Sequence, residues 1–273
     1  MSTITPITLN SDQNAPTIDS MMASFYGYFK LIVANTPELR EEVYRIRYKV
    51  YCQELGYERE EDCKNGMEQD IYDQRSTHCL LMHTKSGLYA GCVRLVLPDQ
   101  NQAEASLPFE RVYGHTSQSN SPELKNLPRH SFGEVSRLAV TAEFRKRNGE
   151  WQTPHGISAE QSEALEDERR HFPLIALGLY LAATSVGIEL GLDSALTLME
   201  PRLARHLRRF GIKFCQIGEL IEFRGQRGLF QITRSAAMNG MSANSCELFQ
   251  MLRTEVKKSL PLSTPSQLHS TAA

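Results

Sequence analysis

Apolar positions along the chain recur with two periods, and the switches between them mark the elements. Residues 28–34, YFKLIVA, make an apolar run of strand length. From Asn35 to Leu55 the period becomes helical: Leu39, Val43, Ile46 and Val50 share one face, with Thr36 as N-cap, Pro37 at N1, Glu38 in the first turn and Gly56 as the stop. HCLLMHT (78–84) and LYAGCVRLVL (88–97), separated by Lys85, Ser86 and Gly87, predict a hairpin. A Pro/Ser/Asn-rich stretch then leads to FGEVSRLAV (132–140), with the apolar and β-branched weight of another strand.

A polar segment from Arg145 to Arg170, with six acids between Glu150 and Glu168, predicts a mobile loop or lid. The next segment, residues 171–192, carries no formal charge from Phe172 to Ile188. Gly178, Ala182, Ala183 and Gly187 dilute its hydrophobicity and Glu189 cuts it short, so a buried central helix is expected rather than a membrane span. There follow a strand at 193–199, a helix PRLARHLRRF (201–210) closing on Gly211, a strand near 213–218, a hairpin turning at Gly225–Gly228 and a terminal helix from Cys246. Hairpins combined with one strand–helix–strand crossover predict an α/β protein with a mixed, mostly antiparallel sheet flanked by helices. One folded domain is expected over residues 23–258, between polar tails at 1–22 and 259–273.

Composition narrows the class. With 273 residues, 30 basic against 32 acidic and a net charge of -2, the chain lacks the basic field of a dedicated nucleic-acid binder. Six cysteines without a C-x-x-C, and a start lacking a basic then apolar leader, predict a reducing cytoplasmic setting. His78, Cys79 and His83 hold metal-ligating side chains, but strand alternation sets the two histidines on opposite faces, and no metal is expected.

Several charged residues sit where apolar ones belong. Arg47 lies at the margin of the first helix's core face, and Arg94 lies inside GCVRLV; each is either a structural ion pair or snorkelling cation, or part of a site. Asp70 and Asp73 in MEQDIYDQRS are candidate partners for Arg94. Glu134 and Arg137, three apart on one strand, would point to opposite faces unless a β-bulge resets the alternation and brings both to a common rim.

These residues together resemble a known family. Arg47–Tyr51 as R-x-x-V-Y, an aromatic at Tyr57, D-x-x-D at Asp70 and Asp73, G-x-x-R-L at Gly91–Leu95 and E-x-S-R-x-x-V at Glu134–Val140 look like the signature of acyl-homoserine-lactone synthases and related N-acyl amino acid synthases, acyltransferases of the GNAT fold. VYRIRYKVYCQELGYE and LTLMEPRLARHLRRFGIKFCQIGELIEFRGQRG are similar, more narrowly, to acyltransferases associated with PEP-CTERM/exosortase systems of Gram-negative bacteria. Two departures stand out. Tyr51 and Tyr57 occupy positions where lactone synthases usually have Phe and Trp, and EFRKRNG lacks the closely spaced glycines of the ordinary GNAT phosphate loop.

The resemblance implies transfer of a medium or long acyl chain from the phosphopantetheine thioester of an acyl carrier protein, or of CoA, to an amine, with no permanently bound cofactor and no acyl-enzyme. It implies Glu134 as base, with Arg137 and Arg94 fixing that carboxylate and the acidic pair Asp70 and Asp73 or holding the acceptor's own carboxylate, and Arg47, Tyr51, Tyr57, Asp70 and Asp73 around the small acceptor. The donor arm would enter where strand 132–140 splays from strand 195–199, along Leu138, Val140, Thr197 and Met199, with Arg145 and Arg147 at its phosphate. Arg202, Arg205, Arg208 and Arg209 would face the acidic carrier protein, although an ordinary solvated helix face or a peripheral lipid contact has the same pattern. A GNAT-like module that only binds an acyl carrier or a lipid, and an enzyme using acetyl-CoA, are the rival readings.

Overall fold

The computed structural model describes residues 25–99, 105–113, 127–145 and 173–260. Arg147, nearly all of the 145–170 segment, and most of both expected tails lie outside the described residues. Strand β1 (Phe29–Val33) leads into helix α1 (Pro37–Arg47), whose N-cap Thr36 accepts the Leu39 N–H at 3.3 Å. The helix expected to run unbroken to Leu55 instead widens into a π-helix over Tyr48–Glu54, and the Leu55 N–H reaches back to the Val50 carbonyl. Gly56, at φ +63°, ends it, and the Tyr57 and Glu58 N–H groups both return to the Tyr51 carbonyl.

Strands β2 (Ser76–His83) and β3 (Tyr89–Val96) form the first hairpin. The Pro/Ser/Asn-rich stretch before the next strand contains a short helix α2 (Pro108–Tyr113). Strand β4 (Phe132–Val140) and the buried helix α3 (Pro173–Glu189) lead to β5 (Ser194–Met199) and α4 (Pro201–Arg208). The strand expected near 213–218 is only the two-residue β6 (Cys215–Gln216). Strands β7 (Ile221–Glu222) and β8 (Gln226–Thr233) form the second hairpin, followed by α5 (Arg234–Gly240) and α6 (Ala243–Ser259), which starts three residues before the expected Cys246.

The sheet runs β1-β2-β3-β4-β5-β8-β6, with β7 paired to β8. Every pairing is antiparallel except β4 with β5, the pair that needs a crossover, and α3 supplies it. Helix α3 is apolar on all sides because it packs across β2, β3 and β4 while α6 covers it. No helix among the described residues is long and apolar enough to cross a membrane. Helix α1 and the π-helix that continues it cover the other face, with Val43, Ile46 and Val50 clustered with Leu80, Cys92 and Ala139.

Two irregularities in β4 place the site. Cys92 pairs with Ala139 but Arg94 pairs with Ser136, so β4 carries one extra residue, and Arg137 adopts φ +50° within that stretch. This is the bulge the charge pattern called for. Next to it, β4 and β5 pair only at Phe132/Ser194, Gly133/Ala195 and Glu134/Leu196, and no ladder pair joins them beyond Glu134. The sheet therefore splays on the β5 side of the bulged strand.

The β3–β4 contact below the bulge tolerates no added atom. A Cβ at Gly91 would lie 2.4 Å from the Ala139 carbonyl oxygen and 3.2 Å from Leu179 Cδ1. Gly91→Ala is therefore expected to cost about 1–3 kcal/mol as the strands are forced apart. Chemical denaturation would check this, and an unchanged midpoint would mean that the sheet yields at this point without strain.

Candidate active site

A buried ionic cluster fills the space between α1 and the β2–β4 face. Arg47, at the last turn of α1, donates through Nε to Glu68 (2.5 Å) and through Nη1 to Asp73 (2.6 Å). Arg94, projecting from the middle of β3, donates through Nη1 to Asp70 (2.6 Å) and Asp73 (2.8 Å), and through Nε to Ser136 Oγ (3.1 Å). Arg137 donates through Nη2 to Glu58 (3.0 Å) and Glu68 (3.1 Å), with Asp70 at 3.5 Å, and Arg224 from the second hairpin closes on Glu58 at 2.7 Å. Arg47, Arg94, Arg137 and Arg224 thus match Glu58, Glu68, Asp70 and Asp73 in number.

The bulge makes this closure possible. Val135 and Leu138 join the α3-side core, whereas Ser136 and Arg137, adjacent in sequence, both reach the polar cluster. Aromatic rings floor it: the Arg137 guanidinium lies 5.5 Å from the Tyr51 ring centre, Arg224 lies 5.7 Å from Tyr57, and the two tyrosines are 6.3 Å apart. The Tyr51 hydroxyl donates to the Leu138 carbonyl at 2.7 Å, so this phenol is bound to the bulged strand rather than offered to a ligand.

Glu134 lies apart from the cluster. It was expected to pair with Arg94 and Arg137; those guanidiniums are instead taken up by Asp70, Asp73, Glu58 and Glu68, and among the described residues no cation is ion-paired to Glu134. Its Oε2 accepts the Phe109 N–H at 2.8 Å, from the first turn of α2. Burial raises its pKa from 4.5 to about 8, against the opposing pull of that N–H and of Arg94.

Glu134 and Arg137 both line a cavity of 440 Å³ at the splay, the size of a small-ligand site. Ser136 and Asp70 add to its polar lining, and Leu138, Tyr180, Leu198, Met199 and Leu203 make up its largely apolar part. Thr197 also lines it, with Oγ1 3.3 Å from the Tyr180 hydroxyl. Two expected donor contacts are misplaced. Val140 lies past the bulge, paired with Gly91 and buried in the α3-side core. Arg145 is turned inward, fully buried and ion-paired with Glu54, and does not face a phosphate. Arg202, Arg205, Arg208 and Arg209 are exposed along α4, with Arg202 3.1 Å from Glu200.

Sequence reasoning missed Glu58, Glu68, Arg224 and the Phe109 N–H. Glu68 had a signal, a third acid two positions before Asp70 in a segment flanked by buried arginines; the others depend on where loops fold back. His78 faces Tyr44 and Asp73, whereas His83 packs on Phe29 and Phe144, so the two rings point to opposite sides.

With the geometry in place, the comparisons agree on the fold. Residues 46–152 match the family model described as an acetyltransferase (GNAT) domain. The acyl-homoserine-lactone synthase of Aeromonas salmonicida is 30% identical over 112 residues, which cover 41% of this chain and 48% of that protein. The match thus spans about half the length of that curated relative. Among solved structures, TofI in a ternary complex with an inhibitor and MTA superposes with a TM-score of 0.52 at 18% identity, covering 82% of this chain and 96% of that one. FeeM, an N-acyl amino acid synthase from uncultured soil microbes, gives 0.50 at 14% identity, covering 78% and 94%. The chain has the GNAT fold.

The two kinds of carboxyl predict opposite pH effects on stability. Glu68 is held down from 4.5 to about 2 by Arg137 and Arg47 against its burial, so its contribution is present above pH 4.5 and is lost as pH falls toward 2. Glu134 keeps its proton in the fold, so its contribution is present below 4.5 and is lost as pH rises through about 8. Glu68→Gln should lower stability by about 3 kcal/mol at neutral pH, with a smaller deficit near pH 2. Glu134→Gln should unfold at a higher temperature than wild type at pH 9, and the difference should vanish at pH 4. Melting curves across that range check both signs.

Proposed function

We propose that this chain is an N-acyltransferase that moves a medium or long acyl chain from a phosphopantetheine thioester to the amine of an amino acid or similar small acceptor. The observation that carries the reading is Glu134: a buried carboxyl without a cationic partner among the described residues, with its pKa raised to about 8, on the wall of a cavity that opens between separated strands. A base matched to neutral pH suits an ammonium that must lose its proton before attack. At pH 7 about a tenth of such a group is ionised, and it is the stronger base for its raised pKa.

In the proposed reaction Glu134, directly or through one water, takes a proton from the acceptor ammonium. The freed nitrogen lone pair forms a C–N bond to the thioester carbonyl carbon. Collapse of the tetrahedral intermediate breaks the C–S bond, and the thiolate leaves with the second amine proton as a thiol. No acyl-enzyme is needed. Backbone N–H groups along the unpaired edge of β4 supply the donors for the carbonyl oxygen as it becomes anionic, and the amides of an extended pantetheine arm complete the strand edge.

The apolar side of the cavity, from Leu138 to Leu203, supports a longer acyl tail over an acetyl group. The exposed arginines of α4 favour an acyl carrier protein as donor over free CoA, and the expected phosphate contact at Arg145 is withdrawn because that side chain is buried on Glu54. The sequence pattern favours the branch associated with PEP-CTERM/exosortase systems and a cytoplasmic setting.

Glu134→Gln should lower kcat by a factor of about 10²–10⁴ while leaving donor affinity close to wild type. The wild-type rate should climb with pH and level off above about 8. Turnover of decanoyl-acyl carrier protein and of acetyl-CoA by both proteins checks the reading. Unimpaired turnover by the variant would remove Glu134 from the chemistry, and donor binding without turnover by wild type would favour a non-catalytic carrier-binding module.

A further inference from the structure

Resting on the acyltransferase reading, the balance of charge inside the cavity says which acceptors it takes. An amine acceptor that is an amino acid brings a carboxylate, and that group needs a cation that is not already engaged. Arg137, on the cavity wall, and Arg94, which does not line it, are each held by two or more carboxylates of the buried cluster. Arg224, also on the cavity wall, is bound to Glu58, and Glu200 has Arg202 at 3.1 Å. Removing any of these guanidiniums to hold a ligand would strand a carboxylate.

Two cavity-lining arginines have no ion-pair partner among the described residues, Arg111 and Arg227. Arg111 is exposed on α2, where water screens it. Arg227 sits at the start of β8, only partly exposed, lining the same cavity as Tyr180, Met199 and Glu134. Its Nε is buried without a hydrogen-bond partner among the described residues. An unpaired guanidinium nitrogen withdrawn from water is costly, and an arriving anion offsets that cost. Its charge acts on the buried hydroxyls of Tyr51 and Tyr180, which line the same cavity.

We propose that Arg227 is the anchor for the carboxylate of the acceptor, so that the preferred acceptors are free amino acids rather than simple amines or esters. The acceptor would then be held at two points, its nitrogen toward Glu134 and its carboxylate on Arg227, with Arg111 adding long-range attraction at the mouth.

The test offers a mixture of the twenty L-amino acids, and separately their methyl esters, to the purified full chain with decanoyl-acyl carrier protein, and reads N-decanoyl products by mass spectrometry. The esters keep the amine and neutralise the carboxylate. Wild type should favour the acids, and Arg227→Gln should lower the acid-to-ester ratio at least about tenfold, the loss expected for a charge-assisted contact. Arg227→Lys should recover part of the ratio, and melting curves show whether each variant is folded. An unchanged ratio in folded Arg227→Gln, or a wild type that acylates esters as readily as acids, would overturn the assignment while leaving the acyltransferase reading intact. A change confined to the KM of the thioester would overturn it too, because it would place Arg227 at the donor's phosphate. A wild type that acylates neither set would instead bring down the acyltransferase reading on which the assignment rests.

Discussion

One extra residue in β4 sets the arrangement of everything around it. In a regular strand Glu134 and Arg137 would face opposite sides of the sheet; with the bulge, Arg137 turns to the side of Ser136 and the cluster. The conformation at φ +50° is unfavourable for a residue with a Cβ by about 1–2 kcal/mol. It persists because three carboxylates, Glu58, Glu68 and Asp70, converge on its guanidinium, and because Tyr51 ties down the next carbonyl at Leu138. The bend that follows draws β4 away from β5, which stays paired to β8 as far as Met199. Strain, ionic cluster and open slot are one construction.

The cluster's balance also accounts for the isolation of Glu134. Four guanidiniums are matched by four carboxylates, and the pull of Arg94 on the Glu134 carboxyl, like that of the Phe109 N–H, is outweighed by burial, with Glu110 acting in the same direction as burial. Burial then decides, and the carboxyl holds its proton near neutral pH. Had either arginine been released to pair with Glu134, its pKa would have fallen and its usefulness as a base with it. The Phe109 N–H fixes the direction of the carboxyl without adding a full charge. For the proposed chemistry the arginines therefore act by being occupied elsewhere.

How far the sequence could be read depended on whether a residue's neighbours came from its own element. The conflict that a bulge would resolve was legible, because two charges three apart contradict strand alternation within nine residues, though not the bulge itself; the crossover was legible because one long apolar segment sat between two strand patterns. Arg47 and Arg94 stood out as charges in apolar frames, and both are fully buried. Arg145 was misread because the basic run EFRKRNG suggests exposure, while its partner Glu54 comes from the π-helix 91 residues earlier. Val140 was misread because, past the bulge, it pairs with Gly91 of β3 and its side chain joins the α3-side core. The helix at Pro108–Tyr113, which supplies the Glu134 contact, is too short for any periodic signal.

The cavity's two walls come from opposite sides of the splay, and this division bears on how the proposed reaction would run. The β4 side offers Glu134, Ser136 and Arg137; the β5, α3 and α4 side offers Met199, Tyr180 and Leu203. A thioester lying along the seam would have its tail against carbon and its carbonyl beside polar groups. An amine brought there loses water on one side before it meets Glu134 on the other, which favours its neutral, nucleophilic form. A fully paired sheet would join these walls through backbone and leave no seam. The unmade ladder between β4 and β5 beyond Glu134 is thus the structural cost on which the proposed activity rests, and the ion pairs around Arg137 hold the bulged strand beside it.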